Sequence, residues 1–223
     1  MQVTSRARRP GATGRRATKI LFTLDSLYNG GTEKSLLDMA TRFGQVEPVF
    51  CCFYEHRHLE DAFEQAGLKV HFLGMNADYG FRRASRFLAD VLDRETPDLV
   101  VAHLLRSELV TRWVCRRRRV PVVGSFVNDP YSSEARATQS VGRRLKSDVF
   151  RMLNRVSARW CIHFIANSVA IGCSNARALG LDPDLVSVVP RGRDEAVYRP
   201  PEPRRSGAIH SIVNVARLIE RKG

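Results

Sequence analysis

Short, nearly continuous apolar runs, each separated from the next by a helical pattern, most constrain what this chain can fold into. Seven such runs recur: Lys19 to Leu24 (KILFTL), Pro48 to Tyr54 (PVFCCFY), Lys69 to Leu73 (KVHFL), Asp98 to His103 (DLVVAH), Pro121 to Phe126 (PVVGSF), Ile162 to Asn167 (IHFIAN) and Leu185 to Pro190 (LVSVVP). Runs that are apolar throughout, rather than alternating, suit parallel strands covered on both faces. The segments between them, Lys34 to Phe43, Leu59 to Ala66, Phe81 to Arg94, Leu105 to Arg117 and Ala170 to Leu179, repeat apolar residues at helical spacing. Gly67, Pro97, Pro121 and Gly180 punctuate them. The pattern predicts an α/β fold with a Rossmann-like, doubly wound parallel sheet.

At 223 residues the length accommodates one large domain or one and a half. A hydrophobic share of 43% against 26% charged residues supplies a real core and excludes intrinsic disorder. Three parts are expected. Residues 1–18 form a flexible basic tail, 19–200 a Rossmann-like domain, and 201–223 a linker plus the opening strand of a second domain. The linker assignment rests on the proline-rich, charged stretch RGRDEAVYRPPEPRRSG, and the strand on IHSIVNVARLIERKG.

The formal charge of +13 arises from 36 Lys and Arg against 23 Asp and Glu. Residues 1–18 hold five arginines and no acid, and the remainder is basic too. Such a surface concentrates anionic partners: nucleotide phosphates, acidic lipid headgroups or nucleic acid. The run Arg116 to Arg119 invites the nucleic-acid reading, but no basic motif interleaved with aromatics supports it.

Between Gly142 and Trp160 the apolar residues Leu145, Val149, Met152, Leu153, Val156 and Trp160 fall on one helical stripe. Arg143, Arg144, Lys146, Arg151, Arg155 and Arg159 occupy the rest, against Asp148 alone. Two readings stay open, a solvated amphipathic helix and one that meets an anionic membrane. No run approaches the roughly 18 apolar residues of a membrane span, and no apolar core follows the N-terminal arginines as in a signal peptide. A cytoplasmic location, peripheral at the inner face of the membrane, is expected. The five cysteines, Cys51, Cys52, Cys115, Cys161 and Cys173, form no C-x-x-C pair and read as small buried hydrophobes. No metal site is expected.

The stretch LDSLYNGGTEKSLLDMA sets Gly30 and Gly31 between the first strand and the first helix. A glycine-rich turn at a strand's carboxyl end lets backbone amides approach a ligand, and the helix dipole favours an anion there. Neither G-x-G-x-x-G nor G-x-x-x-x-G-K-[ST] is present. A plain turn, with Asn29 or Thr32 capping the helix, reads the same residues equally well.

Four segments occur in an order and at a spacing that resemble family 4 glycosyltransferases: KILFTLDSLYNGGTEKSLLDMA, PDLVVAHLLRSEL, FIANSVAIGCSNARALGLDPDLVSVVPRGRDEAVYRP and SIVNVARLIERKG. The resemblance covers an N-terminal domain from about Lys19 to Pro200 and the first strand of a C-terminal one. It implies the N-terminal half of a GT-B enzyme, in which the N-terminal domain binds acceptor and the C-terminal domain most of a nucleotide-sugar. It further implies a retaining hexosyltransferase, working without metal, whose departing diphosphate deprotonates the acceptor. The nucleotide-sugar is then a co-substrate and no cofactor is expected. The acceptor is a polysaccharide or a lipid-linked glycan.

Carried over by position, the resemblance makes Gly30 and Gly31 a donor-diphosphate loop and His103 a catalytic-site contact to the transferred sugar or acceptor. Arg217 and Lys222 become the basic pair gripping the diphosphate, supplying charge where it develops on the leaving group. Read from the residues alone, His103 is a strand-end histidine and RLIERKG a solvated charged loop. Glu33 reads as a helix N-terminal acid complementing the dipole.

The chain departs from the family pattern in three places. GSFVND lacks the usual His or Arg, leaving Asn128 and Asp129 as substitute acceptor contacts. PRGRD carries Arg191 and Arg193 where PNGVD is commoner, keeping Gly192 and Asp194. The E-x-x-x-x-x-x-x-E motif and its donor pocket are not within the 223 residues. Weak or absent activity of the chain alone is therefore expected, with a separately encoded C-terminal half as a candidate partner. A non-catalytic glycan-binding fragment or pseudoenzyme, and a nucleic-acid binder, are the alternative classes.

Overall fold

The computed structural model describes residues 16–75, 80–131 and 140–192. The basic tail up to residue 15, the linker, Arg193, Asp194, Arg217 and Lys222 lie outside the described residues.

All seven apolar runs are strands: β1 Thr18–Leu24, β2 Val46–Tyr54, β3 Lys69–Met75, β4 Leu99–His103, β5 Val122–Phe126, β6 His163–Ala166 and β7 Val186–Val188. They form one sheet in the order β3-β2-β1-β4-β5-β6-β7, with every neighbouring pair parallel. Among the described residues six α-helices connect them: α1 Gly31–Ala40, α2 Glu60–Gln65, α3 Phe81–Glu95, α4 Leu105–Arg118, α5 Val141–Ala158 and α6 Val169–Leu179. This is the doubly wound Rossmann-like sheet that the patterning predicts.

Alternation along each strand divides the core. Leu21, Cys51, Val100 and Phe164 pack with Leu88 of α3, Val114 of α4, Ala158 of α5 and Leu179 of α6. Phe22, Phe50, Cys52 and Val101 face the other way, against Leu36 of α1 and Phe63 of α2. The register sets Phe22 beside both Phe50 and Val101, and the Phe22 and Phe50 rings stack at 5.3 Å. Each fully buried large apolar side chain of this kind contributes about 1.5–3 kcal/mol. Cys51, Cys52, Cys115 and Cys161 are buried as expected, whereas Cys173 is exposed on α6.

The C-terminal part of the sheet closes through tight packing. Ser168 caps α6 by accepting from the Ile171 amide at 3.3 Å. Gly180 ends the helix at φ +64°, a conformation that costs glycine little. Gly124 on β5 has no room for a Cβ, which would collide with the Phe164 ring.

α5 departs from ordinary amphipathic packing. Its buried positions include the polar Asn154 and Ser157, whereas the apolar stripe predicted from the sequence stays exposed: Leu145 is 69% exposed, Met152 61% and Val156 54%. The cause is Arg112 of α4, completely buried, which requires polar partners from the helix lying across it.

Candidate functional site

Successive strands run outward from β1 to β3, and the chain then crosses back to add β4 on the other side of β1. Crevices at such a switch point, beyond the strands' carboxyl ends, are where open α/β sheets bind ligands. Here the loop after β1 and the end of β4 meet, bringing Gly30, Gly31 and His103 to one edge.

Gly30 is the N-cap of α1 at φ −104° and ψ 167°, and no side chain caps the helix. The expected Asn29 or Thr32 cap is therefore not formed. Instead the Glu33 carboxyl folds back over Gly30, where a Cβ would collide with its Oε2. A side chain at position 30 would therefore have to displace the Glu33 carboxyl, and the backbone there is not left-handed. Gly31, the first helical residue, has none of the described residues within 4 Å of where a Cβ would be. Glu33 is 7% exposed. Burial pushes its carboxyl above the ordinary range and Asp25 adds to this, while its own amide and Arg191 pull the other way.

His103 closes β4 and is 4% exposed. Its Nδ1 has no hydrogen-bond partner among the described residues. Burial and the charge of Arg191 push the imidazole down to about 3, so the ring is neutral at physiological pH. The next residue, Leu104, sits at φ 70°, a backbone strain of about 1–3 kcal/mol of the sort found at functional sites. This sharp turn lets the Ser107 hydroxyl donate to the His103 carbonyl, while the Ser107 amide donates to Asp25 Oδ1 at 3.1 Å. Asp25 is held above its ordinary range by burial, opposed by Ser107 and Arg106.

Arg191, beyond β7, donates from Nη1 to the Gly31 carbonyl at 3.3 Å. It supplies positive charge beside Glu33 and His103 at the crevice.

A second, smaller feature lies past β5. A cavity of about 100 Å³ is lined by Glu108, Ser125, Asn128, Asn154 and Asn175 among others. The Asn128 carbonyl accepts from Asn175 Nδ2 at 3.0 Å. Asp129 is not part of this lining, and its carboxylate accepts from the Tyr131 amide at 3.3 Å in a local turn. Beneath the cavity, Arg112 donates to Glu108 Oε2 at 2.9 Å and to Asn154 Oδ1, and Asn154 Nδ2 donates to the Tyr131 hydroxyl at 2.6 Å. Glu108 is raised by burial, against the pull of Arg112 and the Ser125 amide.

Of the residues singled out from the sequence, Gly30, Gly31 and His103 converge on the crevice. Asn128 lines the neighbouring cavity, and Arg217 and Lys222 lie outside the described residues. Sequence reading passes over Asp25, Glu108, Arg112, Asn154 and Asn175, and takes Arg191 as a mere departure. The signal for Glu108 and Arg112 was their i, i+4 spacing on α4, which sets an acid and a base on one face of the helix.

The family model for Glycosyltransferase Family 4 matches residues 29–197. The chain belongs to glycosyltransferase family 4. No curated protein matches it significantly. Among solved structures, Anabaena HepE in complex with UDP and glucose superposes with a TM-score of 0.63 at 22% identity, covering 81% of this chain and 46% of that one. UDP-GlcNAc 2-epimerase from Neisseria meningitidis, bound to UDP-GlcNAc, gives 0.54 at 16% identity, over 77% and 46%. A Rickettsia africae glycosyltransferase gives 0.54 at 16%, over 80% and 44%. This family 4 chain thus spans just under half the length of these structures and shares the Rossmann-like fold of one GT-B half.

Proposed function

We propose that this family 4 chain is the acceptor-side half of a retaining glycosyltransferase, moving a hexosyl group from a nucleotide-sugar to a polysaccharide or lipid-linked acceptor. The observation that carries the reading is His103: a buried, neutral imidazole whose Nδ1 has no hydrogen-bond partner among the described residues, set at the switch point near Gly31. A buried polar atom of this kind is costly unless something hydrogen-bonds to it, and a sugar hydroxyl at the crevice would do so.

Gly31 leaves room for a diphosphate or acceptor close to the backbone, and Arg191 supplies positive charge on this wall. Arg217 and Lys222 would add the diphosphate grip from the C-terminal domain that residues 201–223 open, and Asn128 and Asp129 the acceptor contacts. The departing diphosphate acts as the base, so the protein positions reactants and stabilises charge, with no metal and no cofactor. The enzyme works in the cytoplasm, at the inner face of the membrane.

The test titrates the chain with UDP-glucose and UDP, then assays sugar transfer with a C-terminal half supplied in trans, with and without EDTA. EDTA-insensitive transfer that appears only with both halves, and falls at least about tenfold in His103→Ala, supports the proposal. Saturable glycan binding with no transfer in any combination would replace it with the glycan-binding fragment.

A further inference from the structure

A cavity of about 620 Å³ lies away from the crevice, between α3, α4 and α5. Its floor is the carboxyl end of β2 and β3 at Phe53 and Met75, and its walls include Phe81, Trp113 and Trp160. The fourth side is Met152, Leu153 and Val156, the stripe that α5 leaves unburied. Among the described residues Arg106 is the single charged one of the lining. The volume is that of a small-molecule site, yet polar groups that would orient a polar ligand are nearly absent.

What surrounds this apolar space is basic. Arg143, Arg144, Lys146, Arg151 and Arg155 are exposed along α5, Arg82, Arg83 and Arg86 along α3, and Arg116 to Arg119 at the end of α4. Arg117 lies over the Trp113 ring at 4.3 Å and Arg116 over Trp160 at 4.9 Å. Aliphatic residues between arginines, with tryptophans at the junction, match the boundary between hydrocarbon and anionic headgroups. Reading a nucleic acid would require polar groups for base edges, and among the described residues this lining supplies almost none. Among the described residues no helix is long and apolar enough to cross a membrane, so α5 would lie on the surface.

We infer that this cavity receives the hydrocarbon chain of an anionic lipid-linked acceptor, with the arginines of α3, α4 and α5 seated on its headgroup layer. The inference rests on the glycosyl-transfer reading and narrows its acceptor to lipid. Arg106 connects the two regions: it lines the cavity, and its charge reaches Asp25 at the crevice. A lipid anchored by its tail therefore presents its polar head past Arg106 toward the switch point.

Both tryptophans of the chain line the cavity, so intrinsic fluorescence reports its occupancy. The experiment titrates the protein with phosphatidylglycerol vesicles carrying brominated acyl chains, with matched phosphatidylcholine vesicles, and with unbrominated controls. The expected result is tryptophan quenching by bromine and binding at least roughly tenfold tighter to the anionic vesicles. Met152→Glu and Val156→Glu, both at exposed positions, should each abolish quenching and leave the melting temperature unchanged.

Co-sedimentation with anionic vesicles without quenching would overturn the inference, since charge alone would then hold the protein. Equal quenching by neutral vesicles would overturn its headgroup part, and an absence of any vesicle binding would overturn it whole. The assay contains no sugar donor, so its failure is separable from that of the transferase reading. Quenching with no sugar transfer leaves the lipid site standing, whereas transfer to a lipid-free glycan without quenching does the reverse.

Discussion

Arg191 donates to the carbonyl of Gly31 from 160 residues away, joining the last described turn to the first helix across the mouth of the crevice. Held by this contact, the positive charge of Arg191 acts on both the buried Glu33 carboxyl and the buried His103 ring. Removing it in Arg191→Ala should move both groups up: His103 toward an ordinary imidazole value, and Glu33 further above the carboxylate range. Proton NMR titration of the His103 ring checks the first. A ring whose titration is the same in wild type and variant would show that Arg191 does not act on it.

His103 also makes a stability prediction. The unfolded imidazole takes up a proton below about pH 6.5, but the folded one does so only near 3. Between those values the unfolded state binds more protons, so stability falls as pH drops. Urea midpoints measured from about pH 7 to 4 should decline in wild type, and the His103→Gln variant should lose that part of the slope.

The two adjacent glycines should respond differently. Gly31→Ala points a methyl into open space, so the fold should be unchanged or slightly firmer, by up to about 1 kcal/mol, while on the proposed function titration with UDP-glucose should show weaker binding. Gly30→Ala meets the mobile end of Glu33 and should displace that carboxylate at a cost near 1 kcal/mol. Combining Gly30→Ala with Glu33→Ala should cost less than the sum of the two single changes. Additive costs would show that the side chains do not meet.

Arg112→Met should be far more damaging than any surface arginine change. It leaves Glu108 buried without its partner and frees Asn154, an effect of about 3–5 kcal/mol. Arg112→Met combined with Glu108→Met and Asn154→Leu should recover much of the loss, because apolar groups of similar volume replace the whole network. Chemical denaturation of the three proteins decides this.

Glu95 gives the opposite pH dependence to a buried lone acid. Although burial raises its pKa, hydrogen bonds from Lys69 and His71, with their charges, lower it overall, and Lys69 Nζ lies 2.7 Å away. Its stabilisation is present above the unfolded carboxyl value and lost as pH falls through the folded one. Glu95→Gln should cost about 1–3 kcal/mol at pH 7 and should flatten the acid limb of the stability profile.

Strand and helix positions were legible because each element of this fold hides its own apolar pattern. A run such as DLVVAH can be covered only as an inner strand, whatever surrounds it, and β4 follows it within one residue. The family resemblance pointed to Gly30, Gly31 and His103, and the switch in strand order explains why these distant residues meet. The contacts of Arg191 were not legible, because its link to Gly31 depends on where β7 lies across the sheet from β1.

α5 marks the limit of local pattern. The sequence by itself determined that the segment between Gly142 and Trp160 carries a helix, observed as Val141–Ala158, with one apolar and one basic face, since periodicity is a property of the segment alone. It could not determine which face turns inward. That was decided by Arg112: a buried guanidinium must be hydrogen-bonded, so Asn154 and Ser157 face it and Met152 and Val156 are left facing outward.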